Sequence, residues 1–172
     1  MRGNMNQYYT FDRINNDRVL SFYSKKPMNF GGTALEGSGR QQLIGQIESD
    51  FGYQFRSVVK CTRQIHSDRV LIVEESSLGK EPGEADGLLT DLRGVALEIH
   101  TADCQSVFLY DPVRGVIGNV HSGWKGTVQK IVPKAVEKMI LHYGCSPADI
   151  EAYFNPSILS CCFEIEDDVV EQ

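Results

Sequence analysis

Asp111-Pro112-Val113-Arg114-Gly115 separates two apolar runs, Val107 to Tyr110 and Val116 to Val120. Turn residues between two runs rich in β-branched and aromatic side chains predict an antiparallel hairpin. A hairpin constrains more than its own strands, because its open ends must be neighbours in space. Cys104, just before the first strand, and His121, just after the second, therefore converge without any assumption about the rest of the chain.

Around this unit the periodicity supplies further elements. Leu43, Ile44, Ile47 and Phe51 recur at helical spacing over Arg40 to Phe51, with Gly52 as the stop. Ser57 to Lys60, Arg69 to Val73, Val95 to Ile99 and Ile150 to Phe154 read as strands. His66 falls in the connection between the first two. Residues 74 to 87 are polar and rich in chain breakers, which predicts a surface loop. Thr127 is expected to cap a helix carrying Val128, Ile131, Val132, Val136, Met139 and Ile140 and ending before Gly144. Pro133 predicts either a kink or a short turn with a new helix beginning near it. A helix N-terminus after this loop is a natural seat for an anion.

The chain has 172 residues, 41% of them hydrophobic and 23% charged. That suits one globular domain with its own core. A formal charge of -6 argues against a general nucleic-acid binder. The sequence shows no signal-like start and no run of membrane-spanning length, so a cytoplasmic protein with no membrane partner is expected. Its five cysteines are odd in number and irregularly spaced, which reads as reduced thiols. Cys161 and Cys162 are adjacent, so a mutual disulfide is strained, and packing roles are expected for both.

Three short segments could carry chemistry: Gln64-Ile65-His66-Ser67, Thr101-Ala102-Asp103-Cys104 and His121-Ser122-Gly123-Trp124-Lys125-Gly126-Thr127. Two imidazoles and a thiolate, from His66, Cys104 and His121, suit zinc or another late transition metal with a fourth position for water or substrate. The same residues admit a second reading, in which Cys104 is a nucleophile, His121 its base, and Asp103 or Asn119 the supporting group. His66 discriminates between them, since a simple dyad has no need of a second imidazole. Lys125 is a candidate phosphate contact and Trp124 could stack on a purine. Asp86 and Asp103 are candidate acceptors that fix imidazoles or move protons. His100 has no supporting pattern, and His142 suits the C-terminal end of a helix.

These segments, with Ala85-Asp86-Gly87-Leu88-Leu89-Thr90 and Asn155-Pro156-Ser157-Ile158 followed by Cys161-Cys162-Phe163-Glu164, occur in the order of one family. The chain resembles the laccase-domain family, also called the multicopper polyphenol oxidase or YfiH-like family, whose members are regarded as purine nucleoside phosphorylases. The resemblance runs from about residue 55 to 166, and Lys25 to Gly32 bears a looser likeness to the family's entry motif. It implies an α/β fold, a single domain over 1–172 with a mixed β-sheet flanked by helices. It also implies that His66, Cys104 and His121 bind zinc, with copper as the alternative. Asp103, Cys104 and His121 become the catalytic residues, and Gln64, Asp86, Trp124 and Lys125 those that bind substrate.

The implied reaction is phosphorolysis of adenosine, inosine, guanosine or methylthioadenosine, together with adenosine deamination. In phosphorolysis Lys125 would hold the phosphate. In deamination Asp103 would manage protons. The alternatives are a copper-dependent polyphenol oxidase, a metal-independent Cys-His hydrolase, and a catalytically silent nucleoside- or metal-binding subunit. Three positions depart from the family: Lys125 where it usually has arginine, Asn155 where it has glycine, and Ser160 near its proline. Family members also continue past Glu164, so a chain lacking the C-terminal portion is expected, and an uncovered edge would favour a homodimer.

Overall fold

The computed structural model describes residues 7–11, 18–25 and 38–164, so Lys26 to Gly32 of the entry motif lie outside the described residues. The chain forms two compact units, Met1–Ser57 and Val58–Gln172. In the first, β1 (Tyr8–Thr10) pairs antiparallel with β2 (Phe22–Ser24), and α1 spans Ser38–Phe51. The Tyr8 hydroxyl donates to Asp50 Oδ2 at 2.8 Å, and the rings of Phe22 and Phe51 stack with centroids 5.0 Å apart. Gly52, at φ 65°, takes the left-handed conformation that ends a helix, as its position predicts.

The second unit is built on a five-stranded mixed sheet of order β4-β5-β8-β7-β9, where β4 is Val70–Ile72, β5 Gly87–Thr90, β7 Gln105–Asp111, β8 Val116–Ser122 and β9 Glu151–Phe154. Only the β4–β5 pair is parallel. The expected hairpin is β7–β8, with Val107 opposite Val120 and Asp111 opposite Val116. Asp111 Oδ1 accepts the amides of Val113 and Arg114, and Gly115 completes the turn at φ 70°. One expectation changes: His121 lies within β8, opposite Ser106, rather than just beyond the strand.

β5 was not anticipated, although it is an interior strand of the sheet, paired with β4 on one side and β8 on the other. All four of its residues are buried. A strand covered on both faces has no polar side, so the alternation that betrays a strand is missing. Its close packing is visible at Gly118, where a Cβ would stand 2.6 Å from Leu89 Cδ2.

Because side chains alternate along a strand, Leu89 and Leu88 enter different cores. Leu89 joins Val70, Val107, Leu109, Val116 and Val120 under α3 (Ile131–Tyr143), which contributes Ile131, Ala135 and Met139. Leu88 joins Val59, Cys61, Val73, Ala85 and Val95, a cluster fed by the two-stranded sheet of β3 (Ser57–Lys60) and β6 (Val95–Glu98).

Thr127 does not cap a helix. A short helix, α2, spans Trp124–Val128 with Gly123 at its N-cap, and the Thr127 hydroxyl donates back to the Gly123 carbonyl at 2.9 Å. Lys130, left-handed at φ 63°, then breaks the chain direction before α3. Pro133 is the third residue of α3, where its missing amide forfeits no intrahelical bond. Gly144 closes that helix at φ 66°. Cys161 and Cys162 are exposed, correcting the expected packing role; they occupy a turn rather than a face of an element.

Candidate metal centre

Asp86 organises the site. It immediately precedes β5 and is fully enclosed. Its Oδ1 lies 2.9 Å from His121 Nδ1 and accepts the His66 amide at 3.0 Å. Oδ2 accepts the amides of Ile65 and Ser67 at 3.2 and 2.7 Å and the Ser67 hydroxyl at 2.8 Å. Burial alone would raise such a carboxyl, but the His121 and Ser67 hydrogen bonds, with the His66 amide, outweigh it and hold Asp86 below the usual carboxylate range. The loop of His66 is thus wrapped around a buried anion, which accounts for the left-handed φ of 57° at His66, a conformation few side chains adopt.

With Nδ1 of His121 engaged by Asp86, Nε2 is the nitrogen left to bind a metal. This carboxylate–imidazole relation fixes ring orientation and raises ligand basicity. His66 and His121 meet edge to face, their ring centroids 4.7 Å apart. Cys104 Sγ lies 3.9 Å from His66 Nε2. One ligand atom from each of His66, Cys104 and His121 falls within 4.8 Å of the others. A tetrahedral ion with bonds of about 2.0–2.3 Å needs donor pairs roughly 3.3–3.8 Å apart, so small side-chain adjustments complete the set.

Gly123 forms a wall of the space between these donors. A Cβ there would stand 2.8 Å from His66 Cδ2, 3.3 Å from Cys104 Sγ and 3.4 Å from His121 Cε1. The glycine keeps open the volume that an ion would fill. Two imidazoles, a thiol and this cleared space fit a late transition metal. Burial, then the carboxylates of Asp103 and Asp86, push the Cys104 thiol up. A bound cation would reverse that balance by stabilising the thiolate.

The remaining expected residues take different places. Gln64 spends its amide on the main chain of His100, donating to the carbonyl and accepting from the N–H, each at 2.8 Å. It anchors the His66 loop to the segment following β6. Asp86 stands behind the imidazole, with no surface toward solvent on which a substrate could rest. Asp103 is exposed beside Cys104, and its carbonyl accepts the Ile158 amide at 2.9 Å. Lys125 is exposed, with Nζ 5.3 Å from the centre of the half-buried Trp124 ring. Asn119 donates its side-chain amide to the Leu97 carbonyl at 3.0 Å. Sequence reasoning gives no role to Ser67 or His100 and does not foresee the spatial role of Gly123. For Gln64 and His100, 36 residues apart, no local pattern could have paired them.

Fold and site together define an α/β protein with a mixed sheet whose strand ends and adjoining loops assemble a His-Cys-His cluster that could hold a metal ion. A family model described as multi-copper polyphenol oxidoreductase laccase matches residues 41–172, and the chain belongs to that family. It is 31% identical over 166 residues to a purine nucleoside phosphorylase of Clostridium acetobutylicum, covering 95% of this chain and 66% of that one. It is 39% identical over 116 residues to an adenosine deaminase from an unknown prokaryotic organism, covering 63% of this chain and 44% of that one. The crystal structure of the hypothetical protein YfiH of Bacillus licheniformis superposes with a TM-score of 0.69 at 31% identity, over 81% of this chain and 55% of that one. The chain therefore spans only part of the length of these relatives.

Proposed function

We propose that this chain carries the zinc site of a purine nucleoside phosphorylase with accompanying adenosine deaminase activity. The observation that carries the reading is the convergence of His66, Cys104 and His121 around the space left by Gly123, with Asp86 orienting both histidine-bearing segments. Relatives named for these two activities support the substrate class. Zinc held there would act as a Lewis acid beside the purine or its attacking nucleophile. Lys125, exposed at the start of α2, offers the charge that would hold phosphate, as a point charge rather than the bidentate fork of an arginine. Asp103, next to Cys104 and open to solvent, is the group available to exchange protons.

The copper oxidase reading calls for several ions to reduce oxygen, and His66, Cys104 and His121 furnish one ion's worth of ligands. They are the one such three-residue group among the described residues. The metal-free hydrolase reading calls for a lowered thiol pKa, whereas the surroundings of Cys104 raise it. The deciding experiment measures metal content by mass spectrometry on protein purified without added metal, alongside phosphate-dependent base release from inosine and adenosine. Near-stoichiometric zinc with phosphate-dependent release is the expected result. Bound copper with oxygen consumption would replace it with the oxidase, zinc without turnover with a silent binding subunit, and turnover of other substrates by metal-free protein with the hydrolase.

A further inference from the structure

Cys161 and Cys162 take no part in the metal cluster. Both are exposed, in a turn where the amides of Cys162 and Phe163 donate to the Leu159 carbonyl at 2.9 and 3.1 Å. Their sulfurs stand 3.3 Å apart, in contact but not bonded. The preceding residues are tied to the strand beside the metal loop: the Ile158 amide donates to the Asp103 carbonyl at 2.9 Å, and the Ser157 hydroxyl to Gln105 Oε1 at 3.0 Å.

We propose that Cys161 and Cys162 are a reversible oxidative modification site, closing to a disulfide when a hydroperoxide is the oxidant and reopening with a dithiol. One thiolate attacks the outer peroxide oxygen, the O–O bond breaks, and a sulfenic acid forms as the leaving oxygen takes up a proton. The second thiolate attacks the sulfenic sulfur, the S–O bond breaks, and hydroxide leaves as water. Two thiols and hydrogen peroxide thus give one disulfide and two waters; the sulfurs lose two electrons and the peroxide gains them.

Contact between the sulfurs makes the second step intramolecular, so the sulfenic acid is captured before further oxidation. Exposure admits both reagents, whereas Cys61 and Cys145 are buried. Adjacent residues hold their Cα atoms about 3.8 Å apart across a trans peptide, closer than the roughly 4.4–6.8 Å of relaxed disulfides. Such a bond is strained and easily reduced, which suits a switch rather than a staple. The site is independent of the metal reading.

The test exposes the purified protein to hydrogen peroxide at a dose that oxidises glutathione in the same tube, then alkylates and maps peptides by mass. The peptide holding both cysteines should take up no alkyl group after oxidation and two after subsequent dithiothreitol. In Cys161→Ser, Cys162 should instead reach the sulfinic acid or form a disulfide between chains. A pair that stays fully alkylatable, that over-oxidises in the unsubstituted protein, or whose disulfide maps to Cys104 would overturn the proposal.

Discussion

Gly123 shows how one missing side chain can decide a site. Its Cα sits where a methyl group would press on a ligand from each of three segments, so Gly123→Ala should displace His66 first, the nearest contact at 2.8 Å. Metal affinity, read by competition with a chelator, should fall by on the order of 10–100-fold, the loss typical of disturbed ligand support. Unchanged affinity would mean that the ion does not sit between these donors. At Lys125 the expectation concerns charge. Lys125→Ala should raise the phosphate KM several-fold while leaving the nucleoside KM near its starting value, since an exposed ammonium can act on a phosphate only as a local cation. Equal shifts in both constants would place Lys125 away from the phosphate.

At the scale of elements, α3 is the clamp on one face of the sheet. Ile131, Ala135 and Met139 are fully buried at roughly one-turn intervals, whereas Leu141 is 78% exposed, as an amphipathic helix requires. Met139→Ala should cost about 2–5 kcal/mol of stability. Denaturant midpoints would measure it, and metal content in the folded fraction should be unchanged because the cluster lies among loops and strand ends rather than beneath α3. A cost under about 1 kcal/mol would show that the core collapses readily around the gap. The break between α2 and α3 has a related logic: Lys130 takes the left-handed turn that lets Pro133 enter α3 in its first turn, so two residues awkward inside a helix become a junction.

Across the whole molecule, acid sensitivity follows from carboxylates committed to the fold. Asp111 is fully buried at the β7–β8 turn; burial raises its carboxyl, but the Arg114 amide, the Cys145 thiol and the Val113 amide together hold it below the usual range. Between the folded pKa and the unfolded value of about 3.9, the unfolded chain binds more protons, so stability rises with pH there. This contribution is complete above the unfolded pKa and is lost as pH falls through the folded one. Asp111→Asn should therefore flatten the acid limb of a stability-versus-pH curve while lowering stability at neutral pH; an acid limb of unaltered slope would exclude Asp111 as a contributor. The β7–β8 hairpin, α1 and the break near Pro133 were legible in the sequence because each depends on residues close together: turn chemistry, helical spacing, a proline. The residues of the cluster were legible as a ligand set, and the order of the motifs identified the family. Tertiary structure alone decided the place of β5, whose enclosure erased its strand pattern, and the centre of the site at Asp86, which collects donors from residues 19 to 35 positions away. It also decided that Gly123 leaves clear the space between His66, Cys104 and His121 and that Cys161 and Cys162 face solvent. Local spacing sets which elements form, but which buried charge a loop wraps around depends on chain segments that meet only once the sheet has assembled.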